Sequence, residues 1–288
     1  MSFVKLLSSA VFASGLALGA LVASDAQAAG GSSEFKVEKQ QWTFAGPFGT
    51  FDRAQLQRGF HVYRQVCAAC HAMEQVRFRN LGEPGGPEFS EDEVKQIASE
   101  YIIVDGPDEF GDMFDRPGVP ADAIPAPYPN KQAAAAANGG KYPPDLSLIA
   151  KARSAYRGFP WFVFDAFTTY AEGGPDYLYA LLTGYAEPPA EEEEQPGLYY
   201  NIGYAALHDG SAWYAMPQPL WGDDVEYNDG TEATISQQSK DVSAFLMWAA
   251  EPHLEQRKRM GFQVITFLVI FAGLLWFTKR KLWANIPH

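Results

Sequence analysis

Cys67-Ala68-Ala69-Cys70-His71 has the form C-x-x-C-H. The two-residue spacer sets both sulfurs on one side of a helical turn, and the histidine follows directly. This is the pattern of a c-type haem attachment site. Each thiol forms a thioether to a haem vinyl group, and His71 lies under the iron as proximal ligand. Other uses of a C-x-x-C pair fit less well. A zinc site needs two more ligands of similar kind, and the chain has no other cysteine. A thioredoxin-type dithiol needs a βαβ context, which is missing. The plain alternative is a pair of core thiols; signals at both chain ends weigh against it. With both cysteines engaged, no disulfide is available.

Upstream, Asp52 to Cys70 reads as a helix, capped by Asp52 with Gln55 at its third position. Leu56, Phe60, Tyr63 and Cys67 recur at helical spacing, so one apolar stripe leads to the first haem cysteine. Gly59 would let a second helix approach closely. Downstream, Ser90 to Glu93 forms a capping box, and Val94, Ile97, Ala98, Tyr101 and Ile102 are expected on one helical face. Asp105 to Asp115 reads as an acidic loop, and Pro117 to Pro129 is irregular, with five prolines. Short helices are expected at Ala133–Ala137, capped by Asn130, and from Asp145 to Arg153. A longer one runs from Gly174 to Thr183, with Pro175 at its first position and Gly184 past its end. Thr234 caps the last soluble helix, whose face is Val242, Phe245, Leu246 and Ala249; Pro252 ends it. Residues 154–172 are crowded with aromatics, a core by default and a subunit contact as the sharper reading. Glu191 to Glu194 reads as a solvated acidic loop. No repeat is visible and strand signals are weak. The fold class is therefore mostly α, a c-type cytochrome domain with long loops, plus one C-terminal transmembrane helix.

Residues 1–28 read as a cleaved secretory signal: Lys5, an apolar stretch from Leu6 to Ala23, then Ala26-Gln27-Ala28. Met260 to Thr278 carries no charge over 19 residues, long enough to span ~29 Å at 1.5 Å per residue. Arg257-Lys258-Arg259 and Lys279-Arg280-Lys281 flank it equally, so charge alone does not orient it. The export signal does: 29–256 would be a periplasmic haem domain, 257–280 the anchor helix and 281–288 a short cytoplasmic tail of a bacterial inner-membrane protein. A net charge of -13 argues against nucleic acid and suits a basic protein partner.

The ligand opposite His71 separates electron transfer from ligand binding. Met1 leaves with the signal, Met73 is too near His71 to reach the far face, and Met260 starts the membrane helix. Of Met113, Met216 and Met247, Met216 sits in Met216-Pro217-Gln218-Pro219, where the prolines stiffen the loop. His61 and His208 are the other candidates.

The chain resembles the cytochrome c1 family, the c-type haem subunits of the ubiquinol–cytochrome c reductase (bc1) complex, over nearly all of its mature length. The resemblance rests on Arg58-Gly59-Phe60 with Val62-Tyr63, Val104-Asp105-Gly106-Pro107 with Met113-Phe114, and Pro127-Tyr128-Pro129-Asn130. It continues through Pro143-Pro144-Asp145-Leu146-Ser147, Asp176-Tyr177, Leu182-Thr183-Gly184-Tyr185, and Trp248-Ala249-Ala250-Glu251-Pro252 before Arg257-Lys258-Arg259-Met260-Gly261. It implies one covalent haem c, with Met216 as second axial ligand and Pro144 and Leu146 lining the pocket. It also implies Arg153 and Tyr177 near the propionates, with Arg79 and Asn138 as further pocket residues. Its implied partners are the cytochrome b subunit, the Rieske iron–sulfur protein, a soluble or membrane-attached cytochrome c and membrane lipid, in a complex that is dimeric. The implied role is passage of single electrons from the Rieske protein to cytochrome c, without bond chemistry of its own. An anchored c-type cytochrome of another oxidase or reductase is the alternative. A haem gas sensor or peroxidase would need an open sixth position. Relatives often carry a disulfide after Tyr185, which this chain lacks.

Overall fold

The computed structural model describes residues 37–154, 159–168, 172–208 and 210–285. The expected signal segment, 1–28, lies outside these residues. The first helix, α1 (Arg53–Gln65), begins where Asp52 Oδ1 accepts from Gln55 N at 3.2 Å. It stops at Gln65, before the haem motif, and Cys67–Ala69 continues as a single tighter 3₁₀ turn. A second 3₁₀ turn spans Phe78–Gly82. Helix α2 (Glu91–Ser99) has the full capping box, Ser90 with Glu93.

The remaining helices are α3 (Lys131–Ala137), α4 (Ile149–Ala152), α5 (Trp161–Thr168), α6 (Gly173–Thr183), α7 (Ile202–Ala205), α8 (Ile235–Ala250) and α9 (Leu254–Leu282). Among the described residues strand is confined to two antiparallel pairs. β1 (Ile102–Asp105) pairs with β2 (Phe114–Pro117), and β3 (Tyr199–Tyr200) with β4 (Trp213–Tyr214). The domain is mostly helical.

Several local expectations are corrected. Ile102 is not on the α2 face; it starts β1 and is exposed. The stretch expected as an acidic loop from Asp105 to Asp115 is the turn of that hairpin, held by Arg116 to Asp105 at 2.5 Å and to Asp122 at 2.7 Å. Asp145 does not cap α4; Leu148 holds that position, because the Asp145 carboxylate is drawn to backbone N–H groups elsewhere. Pro175 is the third residue of α6, not the first, and Gly184 has φ -90°, so no left-handed cap is formed. In the aromatic stretch Phe159, Trp161 and Phe164 are exposed, against the core reading.

The core lies between α1 and α8, whose buried face joins Leu56, Phe60 and Tyr63 to Phe245 and Trp248. Phe60 and Phe245 rings meet at 5.6 Å, and Phe245 and Trp248 at 5.5 Å. Gly59 is what allows it: a Cβ there would lie 2.1 Å from Asp241 O on α8. The neighbouring Arg58 crosses the same seam. Its Nε donates to the buried Asp241 carboxylate at 2.9 Å, and its Nη1 to Asp229 at 2.7 Å. Burial works against the guanidinium charge, but the Asp241 and Asp229 hydrogen bonds outweigh it and raise the Arg58 pKa above its ordinary value.

The head is tied directly to the long helix. Phe51 N and Arg53 Nη1 donate to Glu255 Oε1 at 2.8 and 2.6 Å, and Lys258 Nζ donates to Phe44 O at 2.6 Å. Pro252 separates α8 from α9, which is long and apolar enough to cross a membrane. No residue of it beyond Lys258 is buried. Its observed bounds, Leu254–Leu282, are wider than the 257–280 expected for the anchor.

Replacing Gly59 with Ala forces the α1–α8 seam apart. Overpacking of this kind costs about 1–3 kcal/mol. Denaturant unfolding of Gly59→Ala should show that loss with an unchanged slope, and a midpoint equal to the parent's would place the close approach elsewhere.

Candidate functional site

The haem motif is shaped by backbone hydrogen bonds. Val66 N donates to Val62 O as α1 ends, and Cys70 N and His71 N both donate to Cys67 O, at 3.1 and 2.9 Å. This folds the chain back on itself, with Cys67 and Cys70 as free, half-buried thiols. The Cys67 thiol is desolvated; burial pushes it up to about 12, with Cys70 adding to the rise. It is therefore kept as the neutral S–H, a weak nucleophile.

The segment 143–147 closes over the motif from the other side. His71 Nδ1 is 2.8 Å from Pro144 O, and since a carbonyl only accepts, Nδ1 carries the proton. Nε2 is left as the lone-pair nitrogen, the form that binds a metal. Burial lowers the His71 pKa, against smaller opposing effects of the Pro144 carbonyl and Asp145, so the ring is neutral at neutral pH. Leu146 N donates to Ala72 O at 2.8 Å, Glu74 N to Asp145 Oδ2 at 2.9 Å and Gln75 N to Ser147 Oγ at 3.1 Å. Asp145 also accepts from Ser147 N at 2.7 Å. Tyr63, fully buried, donates to His71 O at 3.4 Å.

Met216 is half-buried and packs against the same apolar cluster as Cys67. Its loop is fixed by Tyr185, whose hydroxyl donates to Met216 O at 2.9 Å. Burial keeps that phenol protonated, its pKa raised. The other methionines are placed differently: Met247 is buried within α8, Met73 is buried next to the motif and Met113 is exposed on the β1–β2 turn. His208 is stacked on Tyr204 at 3.9 Å, and His61 bonds to Gln65, one turn along α1, and to the backbone of Glu226.

Leu146 is buried and Pro144 half-buried beside His71. Tyr177 is buried on α6; burial raises its pKa, Tyr214 adds to the rise and the Arg153 charge opposes it. Arg153 acts on Tyr214 in the same sense, which places the guanidinium beside this tyrosine group. Two expected pocket residues are not joined to the cluster by any hydrogen bond. Asn138 spends its amide on Ala134 O at 2.8 Å and Tyr128 Oη at 3.3 Å, and Arg79 is exposed, its backbone N–H donating to Pro120 O. Tyr185 and Ser147 were quoted within sequence blocks, but nothing in the sequence indicated what each would hold.

The residues present suit a covalently attached porphyrin. They offer two free thiols on one turn, one imidazole with its lone pair directed by a carbonyl, and one thioether in a braced loop. The description of family "Cytochrome C1 family" matches residues 42–286. The chain belongs to the cytochrome c1 family. It is 56% identical to "Cytochrome b/c1" of Bradyrhizobium diazoefficiens over 96% of this chain, but spans only 39% of that protein's length. It is 47% identical to cytochrome c1 of Blastochloris viridis and 42% to that of Rhodospirillum rubrum. These alignments cover 91% and 95% of this chain, and 90% and 97% of the relatives. As a cytochrome c1 family member it is a c-type cytochrome of the bc1 type, an electron-transfer component.

Tyr185→Phe removes the hydroxyl that holds the Met216 carbonyl and leaves the ring in place. The hydroxyl also bonds to the Asn201 side chain, and its loss should lower the unfolding free energy by about 0.5–1.5 kcal/mol per hydrogen bond. Equilibrium denaturation checks this.

Proposed function

We propose that the chain carries one covalent haem c, bound through Cys67 and Cys70, and passes single electrons from a Rieske iron–sulfur protein to a cytochrome c. The observation that carries this reading is the His71 Nδ1 bond to Pro144 O, which leaves the lone pair of the other ring nitrogen available to a metal. When bound, the haem supplies one-electron redox chemistry at its iron. The chain's own residues set its conditions. His71 and Met216 would hold its iron, a pair that favours a high potential. Pro144 and Leu146 exclude water from the ring face. Arg153, with Tyr177 beside it, offers a cation to the propionates, as a partly buried carboxylate requires. Asn138 and Arg79 have weaker support in this role, since neither is bonded to the cluster.

The docking face for the acceptor is the rim that contains the Met216 loop. A cleft of about 760 Å³ opens there between Tyr185, Glu187, Glu194, Tyr199, Trp213 and Pro217. Trp213 Nε1 donates to Glu192 at 3.0 Å, which ties the acidic run 191–194 to β4, directly before Met216. A basic cytochrome c is drawn by such a field. In this reading α9 crosses the bacterial inner membrane once, the head lies on the periplasmic side, and the cytochrome b subunit and lipid surround the helix in a dimeric complex. The charges of Arg257 to Arg259 and Lys279 to Lys281 balance each other, so the orientation rests on the leader 1–28.

Met216→Leu tests the ligand set. The variant should keep covalent haem, bind carbon monoxide, lose its low-spin spectrum and drop in potential by on the order of 0.1 V or more. A low-spin, methionine-type spectrum in the variant would reassign the sixth ligand.

Changing Glu191 to Glu194 together to Gln tests the docking face. Surface charges act mainly on association rate, and the Debye length falls from ~30 Å at 0.01 M to ~8 Å at 0.15 M salt. Stopped-flow oxidation by a basic cytochrome c should therefore slow several-fold at low salt and lose much of its salt dependence. An unchanged low-salt rate would move docking to another face.

A further inference from the structure

The cleft of about 760 Å³ beside the Met216 loop has aromatic walls and an acidic rim. Short extended segments support it. On one edge β3 pairs with β4, Tyr199 with Tyr214 and Tyr200 with Trp213. On the other edge Tyr185 bridges to Asn201, and Ala186 N donates to Tyr200 O at 3.3 Å. β3 therefore has a neighbour on each side, and a strand added from outside would find no free ladder on it.

The polar ends of two wall residues are already used. The Tyr185 hydroxyl donates to Met216 O at 2.9 Å and bonds to the Asn201 side chain. Trp213 Nε1 donates to Glu192 at 3.0 Å, and Tyr200 meets the Trp213 ring edge-on at 5.6 Å. What these residues still offer is ring surface. Tyr199 and Trp221 add more, at 45% and 67% exposed. Glu187 and Glu194 supply negative charge, and among the described residues no Lys, Arg or His lines the cleft.

These features select an occupant. Aromatic faces attract cations and form the grooves on which proline-rich segments pack. A polyproline II segment has no internal hydrogen bonds, and proline has no N–H, so it needs no ladder from β3. The volume lies within the ~300–1,000 Å³ that encloses a ligand of modest size. It admits a few residues of chain, and the face of a folded partner stays outside.

We propose that this cleft is a groove for an extended, basic, proline-containing segment of a partner chain. Proline rings lie on Tyr199, Trp213 and Trp221, and lysine or arginine heads pair with Glu187 and Glu194. Binding here requires no haem. It is a separate event from the docking of an acceptor's folded head on the Met216 rim, although both use the same acidic field.

The test uses the full chain in detergent micelles and acetylated peptide amides, with affinity read by titration calorimetry. Lys-Pro-Ala-Lys-Pro-Ala should bind about tenfold more tightly than either Gln-Pro-Ala-Gln-Pro-Ala or Lys-Gly-Ala-Lys-Gly-Ala, through the cation–ring contacts and the smaller ordering cost of proline. Trp213→Ala and Glu194→Gln should each remove most of that preference. Tyr199→Ala, on the exposed rim, does the same and serves if melting curves show Trp213→Ala unfolded. Asp92→Asn, on α2, should change nothing. Equal binding of the Lys-Pro and Lys-Gly peptides overturns the groove and leaves only an acidic field. So does unchanged selectivity in both Tyr199→Ala and Glu194→Gln. A cytochrome c reaction slowed by the Glu191 to Glu194 change, without peptide selectivity, overturns the groove and keeps the docking face. Peptide selectivity with an unchanged cytochrome c rate does the reverse.

Discussion

The contact of Gly59 with the Asp241 carbonyl is the constraint from which the rest follows. A side chain at position 59 would meet that oxygen at 2.1 Å, so only glycine lets α1 and α8 lie together. With the helices in contact, Phe60 and Tyr63 pack on Phe245, and Arg58 reaches the buried Asp241 carboxylate. The pair costs desolvation on both sides, and the geometry of the crossing offsets that cost only while both partners are present. The same helix delivers Cys67 two residues beyond its end, so the register of α1 on α8 sets where the C-x-x-C-H turn stands.

A second constraint acts across 70 residues of chain. The segment 143–147 has no regular structure of its own, yet four of its groups bond to residues 71–75: Pro144 O, Leu146 N, Asp145 Oδ2 and Ser147 Oγ. A loop held this way is as fixed as a strand in a ladder, because its backbone groups are paired rather than solvated. Its effect on His71 is chemical as well as structural. The same carbonyl that orients the ring decides which nitrogen carries the proton. The Met216 loop receives similar support from the Tyr185 hydroxyl, on the opposite side of the sequence. Polar contacts from distant segments thus brace both ends of the candidate ligand set.

The junction with α9 follows the same logic at lower cost. Glu255 and Lys258 lie on the helix face turned toward the head, and both bond to the 44–53 stretch. The neighbouring Arg259 and Phe262 belong to that face too.

What the sequence determined was local or periodic. C-x-x-C-H defines its turn within five residues, the caps at Asp52, Ser90, Asn130 and Thr234 act over three, and the Met260–Thr278 run needs only a count of charges. The apolar stripe of α1 and the need for a close neighbour at Gly59 were likewise legible, since both follow from helix geometry. What it could not settle depended on partners far along the chain. Asp145 has a capping residue's chemistry, but its carboxylate closes a local turn on Ser147 N and takes Glu74 N from across the fold. The hairpin 102–117 reads Ile-Ile-Val-Asp and Phe-Asp-Arg-Pro, with no apolar–polar alternation in the sequence, and Arg116 ties it through Asp105 and, beyond the hairpin, Asp122. The partner of His71 Nδ1 and the brace on Met216 were decided by tertiary structure alone, because a hydrogen bond between distant segments leaves no periodicity in either.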